Sequence, residues 1–280
     1  MYDTTIRIWN PDTGELERTL TGHYYYVWSL VVLPNGYLAS GSWDYTIKIW
    51  NTVDGILIRT LTGHTYRIHA LAVLQNGDLA SGSADYTIKI WDWNSSVLKR
   101  TLTGHTGEVN SLAVLQNGYL ASGSADRSIK IWNTETGDLI GTLTGHFDWV
   151  WSLAVLKNGY LVSGGFDNNI KIWNTDTGSE IRTLTGHTSW VRIVLVLSNG
   201  FLASGGDDWT IRIWNPDTGS LVKILTGHER TVSALVQFQN GNLASGSFDS
   251  LIKTWKVDNS MDIATTTTPT SLMTESPSFC

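Results

Sequence analysis

Seven tryptophans, Trp9, Trp50, Trp91, Trp132, Trp173, Trp214 and Trp255, follow one another at intervals of 41 residues. Gly-His pairs ending at His23, His64, His105, His146, His187 and His228 keep the same interval. So do aspartates placed six residues before each tryptophan: Asp3, Asp44, Asp85, Asp126, Asp167, Asp208 and Asp249. A fixed period of this length marks an array in which one supersecondary unit repeats and buries its faces against its neighbours. The array therefore makes one cooperative body over residues 1–257, whatever a length of 280 residues suggests about domain count.

One unit serves for all. Residues 27–33 are a short apolar run closed by Pro34-Asn35-Gly36, and Asn-Gly between apolar runs signals a tight hairpin. Residues 37–42 read as a second strand. Residues 46–50, alternating and β-branched, read as a third. Thr52-Val53-Asp54-Gly55 is a turn, and residues 56–61 form a fourth strand, more polar and so at an edge. No helical period is present. Four-stranded antiparallel sheets repeated in this way stack face to face around an axis, which predicts an all-β fold, a β-propeller.

Composition removes several functions. With 16% charged residues and a formal net charge of -6, neither nucleic acid nor an anionic membrane is the expected partner. Cys280 is the only cysteine, so no internal disulfide forms, in keeping with a reducing, intracellular and cytoplasmic setting. The N-terminus lacks the basic and apolar stretches of a secretory signal. No apolar run reaches the ~18 residues that span a bilayer.

The segments Thr-Leu-Thr-Gly-His, Leu-Ala-Ser-Gly-Ser-x-Asp and Ile-Lys-Ile-Trp-Asn resemble the WD-repeat family, over about residues 1–257 and six to seven times. The departure is the residue after Trp: Asn at most repeats, Asp92 once and Lys256 last, where the family usually has Asp. The resemblance implies a rigid propeller that binds proteins or peptides, carries no chemistry of its own and needs no cofactor. It also implies a hydrogen-bonded chain of histidine, second-strand Ser, turn Asp and Trp. Those members are His23, Ser40, Asp44 and Trp50; His64, Ser81, Asp85 and Trp91; His105, Ser122, Asp126 and Trp132; His146, Ser163, Asp167 and Trp173; His187, Ser204, Asp208 and Trp214; His228, Ser245, Asp249 and Trp255. A buried indole N–H requires such an acceptor. Of two candidate serines, the one ten residues before Trp is invariant, whereas the one eight before becomes Gly165 and Gly206. Ser, His and Asp together could also be a hydrolytic triad. Six copies around a ring favour a stiff structural network instead. The basic residues two before each Trp, from Arg7 and Lys48 to Lys253, are spread around the circumference and read as strand-edge residues.

Function belongs where the copies differ on a shared surface. The loop from strand four into strand one lies at the same end as the turn between strands two and three. Three variable columns meet there: the third and fifth residues after each Gly-His histidine, and the residue before each turn Asp. The family's usual partner-binding positions coincide with them. Around the ring they hold Tyr26, Trp28 and Trp43; Arg67, His69 and Ala84; Glu108, Asn110 and Ala125; Trp149, Trp151 and Phe166; Trp190, Arg192 and Asp207; Thr231, Ser233 and Phe248. Five of the seven tryptophans outside the structural column fall here, and Trp, Tyr and Arg are the residues that anchor interfaces. The face suits a peptide or loop of a partner protein, including an Arg or Lys side chain held over the rings. The alternative is that the aromatics fill the top of the central channel. His69 has no Cys or carboxylate at ligand spacing and is not read as a metal site. Trp93 and Trp209, outside the columns, read as local packing.

Two strands, residues 3–9 and 15–20, precede the first full unit. The expectation is a seven-blade geometry with an incomplete first blade, six complete repeats plus a partial one, in a chain that is part of a longer chain or complex. The alternative is a six-bladed closed ring in which 15–20 joins the last blade. Residues 258–280 are Thr/Ser/Pro-rich and read as a disordered tail or linker. Two rival functions remain: a carbohydrate-binding propeller, and the regulatory propeller of a larger enzyme, for which Glu108 and Asp207 are the only candidate carboxylates on the face.

Overall fold

A computed structural model describes residues 4–10, 13–257 and 270–272. Every element among the described residues is a β-strand. The first two, β1 (Ile6–Trp9) and β2 (Leu16–Leu20), pair with each other as a two-stranded sheet. Blade 1 follows as β3 (Val27–Val32), β4 (Leu38–Ser42), β5 (Ile47–Trp50) and β6 (Leu57–Leu61), paired in that order. Blade 2 is β7 (Ile68–Val73), β8 (Leu79–Ser83), β9 (Ile88–Asp92) and β10 (Val97–Leu102). Blade 3 is β11 (Val109–Val114), β12 (Leu120–Ser124), β13 (Ser128–Trp132) and β14 (Leu139–Thr144). Blade 4 is β15 (Val150–Val155), β16 (Leu161–Gly165), β17 (Ile170–Asn174) and β18 (Ser179–Leu184). Blade 5 is β19 (Val191–Val196), β20 (Leu202–Gly206), β21 (Ile211–Trp214) and β22 (Leu221–Leu225). Blade 6 is β23 (Val232–Gln237), β24 (Leu243–Ser247), β25 (Ile252–Trp255) and β26 (Thr270–Leu272).

The blade count corrects the expectation of seven. The described residues form six four-stranded blades, one for each complete repeat, and among them β1 and β2 pair only with each other. The pathway sketched for six blades differs as well. Leu16–Leu20 pairs with Ile6–Trp9, and the fourth position of blade 6 goes to Thr270–Leu272, which lies against Ile252–Thr254 within a stretch the sequence marks only as Thr/Ser/Pro-rich. Asp3, Cys280 and most of the 258–280 segment lie outside the described residues.

The tight turn predicted at 34–36 forms through Gly36, whose φ of 87° only glycine adopts freely. Leu33 N–H donates to the Tyr37 carbonyl at 2.7 Å, and the Asn35 side chain accepts from Tyr37 N–H at 3.1 Å. Between blades the core is built from one face of each. Ile47, Ile49 and Leu61 of blade 1 pack on Ile68, Leu79 and Trp91 of blade 2, and the same set recurs at the following junctions. Each tryptophan ring is thus pressed against the preceding blade. For Trp50 the preceding partner is the two-stranded sheet, through Ile6 and Leu20.

The second-strand glycine makes this stacking possible. A Cβ on Gly41, Gly82, Gly123, Gly164 or Gly205 would come within 2.7 Å of a branched side chain on the next blade's first strand. A Cβ on Gly246 in blade 6 would meet only Ala234 at 3.5 Å. The two ends of the array are correspondingly less covered. Leu30 and Val32 of blade 1 and Ile252 of blade 6 are exposed, whereas Ile47, Ile88, Ile129, Ile170 and Ile211, the counterparts of Ile252, are fully buried.

Candidate functional site

Two sets of polar and aromatic residues lie at the same end of the blades, one repeated and one variable. The repeated set is the hydrogen-bonded chain. In blade 1, Trp50 Nε1–H donates to Ser40 Oγ at 2.8 Å, and Ser40 Oγ lies 2.7 Å from His23 Nε2. His23 Nδ1 lies 2.7 Å from Asp44 Oδ2, which also accepts Tyr24 N–H. The other carboxylate oxygen accepts the backbone and side chain of Thr46. The Trp–Ser bond is 2.8 Å in all six blades.

Burial alone would push these aspartates up. Hydrogen bonds from the histidine, the following residues and the backbone override it and hold the carboxyls of Asp44, Asp85, Asp126 and Asp208 well below the usual carboxylate range. An ionised aspartate fixes the tautomer: His Nδ1–H donates to it, so Nε2 accepts the serine O–H. This resembles the wiring of a hydrolytic triad, but the serines are closed off from solvent. Ser40, Ser81, Ser122, Ser163 and Ser204 are fully buried, and each Oγ accepts an indole N–H. The serine eight before Trp has another task. Ser42 Oγ donates to the Tyr25 carbonyl and accepts Asp44 N–H, closing the strand-entry loop onto the turn.

The variable set is held by a bond that recurs in every blade. The residue before the turn Asp donates its N–H to the carbonyl of the third residue after the histidine: Trp43 to Tyr26, Ala84 to Arg67, Ala125 to Glu108, Phe166 to Trp149, Asp207 to Trp190 and Phe248 to Thr231, at 2.8–2.9 Å. The columns that the repeat places together are therefore fastened by backbone, leaving their side chains free to differ.

Those side chains form a chain of rings across the face. Trp43 stacks on Trp28 at 5.2 Å. Trp28 of blade 1 meets Trp151 of blade 4 edge-on at 6.3 Å. Trp151 stacks on Phe166 at 4.7 Å, and Phe166 on Trp190 at 4.3 Å. His69 lies edge-on or tilted to Trp28, Trp43 and Trp151. Trp28, His69 and Trp151 thus close together, as the channel-filling alternative requires, and Phe166 is buried beneath them. Trp149 and Trp190 are not spent in this way: 39% and 41% of their surface is exposed. Phe248 is half-exposed on blade 6, beside the small side chains of Thr231 and Ser233.

Charge on the face is mostly internally matched. Arg192 forms a two-point ion pair with Asp207 at 2.7 and 3.0 Å and sits 4.5 Å above Phe166. Arg67 sits 4.1 Å above Trp43 and 5.3 Å from Tyr66. The chain's own arginines thus lie over the rings of Trp43, Trp151, Phe166 and Trp190. His69 Nε2 lies 3.1 Å from Glu108, whose carboxyl that hydrogen bond pulls down against the effect of burial. Asn110 donates to the Val150 carbonyl at 3.1 Å. His69 Nδ1 and Asn110 Oδ1 have no protein partner and are buried. No group of three metal-ligating side chains occurs among the described residues.

Sequence reasoning missed part of the exposed surface. Trp93 packs locally, its indole donating to the Gly77 carbonyl at 3.0 Å. Trp209 does not: it is 53% exposed. It stands directly after the turn Asp, where the backbone is left-handed in every blade. Tyr45 and Tyr86 occupy the same position and are also exposed, as are Tyr24, Phe147 and Tyr66, the last stacked on Tyr45. A fourth column, the residue after each turn Asp, would have flagged three of these.

Six four-stranded blades carrying one His–Ser–Asp–Trp chain each define a β-propeller. The family model for the WD domain, G-beta repeat, matches residues 14–51, 55–92, 96–133, 137–174, 178–215 and 219–256, and the chain belongs to that family. Each matched segment starts around the fourth strand of one sheet and ends with the third strand of the next, which is why the first includes β2. No curated protein matches the sequence. Propellers of this family are generally non-catalytic scaffolds for protein interaction.

Proposed function

We propose that this propeller binds a peptide or loop of a partner protein on the face built from the variable columns. The observation that carries the reading is the exposure of Trp149 and Trp190 at the one end where backbone bonds are common to all blades and side chains are not. Soluble proteins rarely leave clustered large aromatics in water without use. A ring of identical blades would bind the same way six times. Here the aromatics are concentrated in blades 1, 4 and 5, which suits one asymmetric partner. Trp28, Trp43, Trp151 and Phe166 form the floor, and Tyr26, Arg67, Glu108, Arg192, Asp207 and Phe248 border it.

The test is capture from cell lysate by the parent chain and by a Trp149→Ala/Trp190→Ala chain of equal folded fraction. A protein retained by the parent and lost with the variant supports the reading. Identical capture by both would remove binding from this face.

A further inference from the structure

The five junctions between blades are alike, and at the two ends of the array the pattern stops. Within the array a branched side chain at the head of each first strand, Ile68, Val109, Val150, Val191 or Val232, lies over the second-strand glycine of the blade before it. Each is fully buried, and an apolar cluster runs through every one of these junctions. On blade 6 the same seat is open. Among the described residues a Cβ on Gly246 would meet nothing of another blade, and Val236 and Ile252 beside it are 54% and 48% exposed. On blade 1, Val27 is the counterpart of the branched residues and is only half-buried, while Leu30 and Val32 stand in water. No buried cluster among the described residues joins blade 6 to blade 1 or to β1–β2.

The end units of an array normally turn polar on their outer faces. Blade 6 does not. Its second strand, Leu243–Ser247, reads Leu-Ala-Ser-Gly-Ser, identical to that of blades 1, 2 and 3, where another blade covers it. A polar group is left over at the other end. The tryptophan closing the third strand of each blade donates its indole N–H to a second-strand serine. Trp9 closes β1 in the same way and is half-buried, yet among the described residues its indole N–H has no acceptor.

One ligand supplies all the missing parts: a β-hairpin built like the first two strands of a repeat. A branched residue of its first strand fills the seat on Gly246 and covers Ile252. Its second strand extends the β1–β2 sheet, with a serine opposite Arg7 as Ser40 stands opposite Lys48, and so placed for Trp9 as Ser40 is for Trp50. The glycine after that serine receives Val27. Residues 1–280 hold no such hairpin to spare. The inner strands of all six repeats are spent in their own blades, and residues 258–280 contain no Asn-Gly between apolar runs.

We infer that the two open ends, blade 6 on one side and β1 with blade 1 on the other, together form a docking surface for a β-hairpin of a different protein. The hairpin carries a branched aliphatic residue in its first strand and Ser-Gly in its second. This surface is separate from the face of variable columns, so its failure leaves the partner-binding reading above untouched.

The probe is a synthetic peptide of residues 104–124, a complete inner hairpin of this chain, used free and fused to a soluble carrier domain, and titrated calorimetrically into the full chain. Saturable binding is expected, with a rise in the melting temperature of the chain. Peptides carrying Val109→Asp, which puts a charge into the seat, or Ser122→Ala, which leaves Trp9 without its acceptor, should bind about tenfold more weakly. In the full chain, Gly246→Val fills the seat from within. Its Cβ meets only Ala234, at 3.5 Å, so the melting temperature of the chain alone should hold while hairpin binding falls about tenfold or more. Absence of binding in both forms of the peptide, or equal binding by the parent and Gly246→Val chains, overturns the inference. Self-association of the chain alone that Gly246→Val abolishes assigns the surface to a second copy and overturns it as well.

Discussion

The hydrogen-bonded chains and the variable face sit a few residues apart on the same loops, yet they obey opposite rules. In the chains the sequence is repeated and so is the geometry: the Trp–Ser bond keeps 2.8 Å in six blades. On the face only a backbone bond is repeated, and the side chains above it run from Ala84 and Ala125 to Trp43 and Phe166. Buried polar groups must all be satisfied, so one solution is copied. Exposed side chains carry no such obligation, and there the copies diverge. The difference separates what builds the propeller from what it can offer to a partner.

The comparison breaks first at the tryptophans. Trp132→Ala removes a fully buried ring that packs on Ile88 and Leu102 and strands Ser122, and should destabilise by ~3–5 kcal/mol in urea unfolding. Ser122→Ala leaves the Trp132 indole and His105 Nε2 buried without a partner, at ~1–3 kcal/mol. Ser124→Ala should cost clearly less, since blades 4 and 5 fold with Gly165 and Gly206 at that position.

Identical sequence does not guarantee identical constraint, and the glycines test this. Gly164→Ala forces a methyl to within 2.7 Å of Val191 and should cost ~1–3 kcal/mol. Gly246→Ala meets only an ordinary contact and should leave the urea midpoint nearly unchanged. Equal losses from the two would contradict the blade packing described here.

Acid should act on the repeated set. The folded-state carboxyls of Asp44, Asp85, Asp126 and Asp208 lie below the ordinary value of ~3.9. Their contribution is therefore complete above that value and is lost as pH falls beneath it toward the folded-state values. The urea midpoint should hold from neutral pH down to about pH 5 and then drop. The drop should be shallower in Asp126→Asn, which starts from a lower midpoint; an equally steep drop would detach the effect from these pairs. The smallest stability effect belongs to the face: Trp190→Ala should lie within about 0.5 kcal/mol of the parent.

Much of this was legible in the sequence because burial writes itself into a period. In blade 1 all four strands fall within one residue of the expected bounds, as with Leu57–Leu61 against 56–61. The propeller class followed from the same period. Blade number was misjudged because the third-strand pattern of β1 looks the same whether or not inner strands are present to pair with it. Thr270–Leu272 was invisible because an outer strand needs backbone groups rather than an apolar pattern. The ion pair of Arg192 with Asp207, and the seat of Arg67 on Trp43, depend on rotamers and on distances across blades that no spacing encodes. Trp209, Tyr45 and Tyr86 were readable in principle, as large residues in a left-handed turn position, once the turn Asp had fixed where that position lies.

The most direct test of the central claim, that one set builds and the other binds, is partner capture by the Ser122→Ala and Trp190→Ala chains, each assayed where it is fully folded by its own urea curve. The account predicts a crossed result: Ser122→Ala loses stability and keeps capture, while Trp190→Ala keeps stability and loses capture. Loss of capture in the folded Ser122→Ala chain with full capture by Trp190→Ala would contradict it.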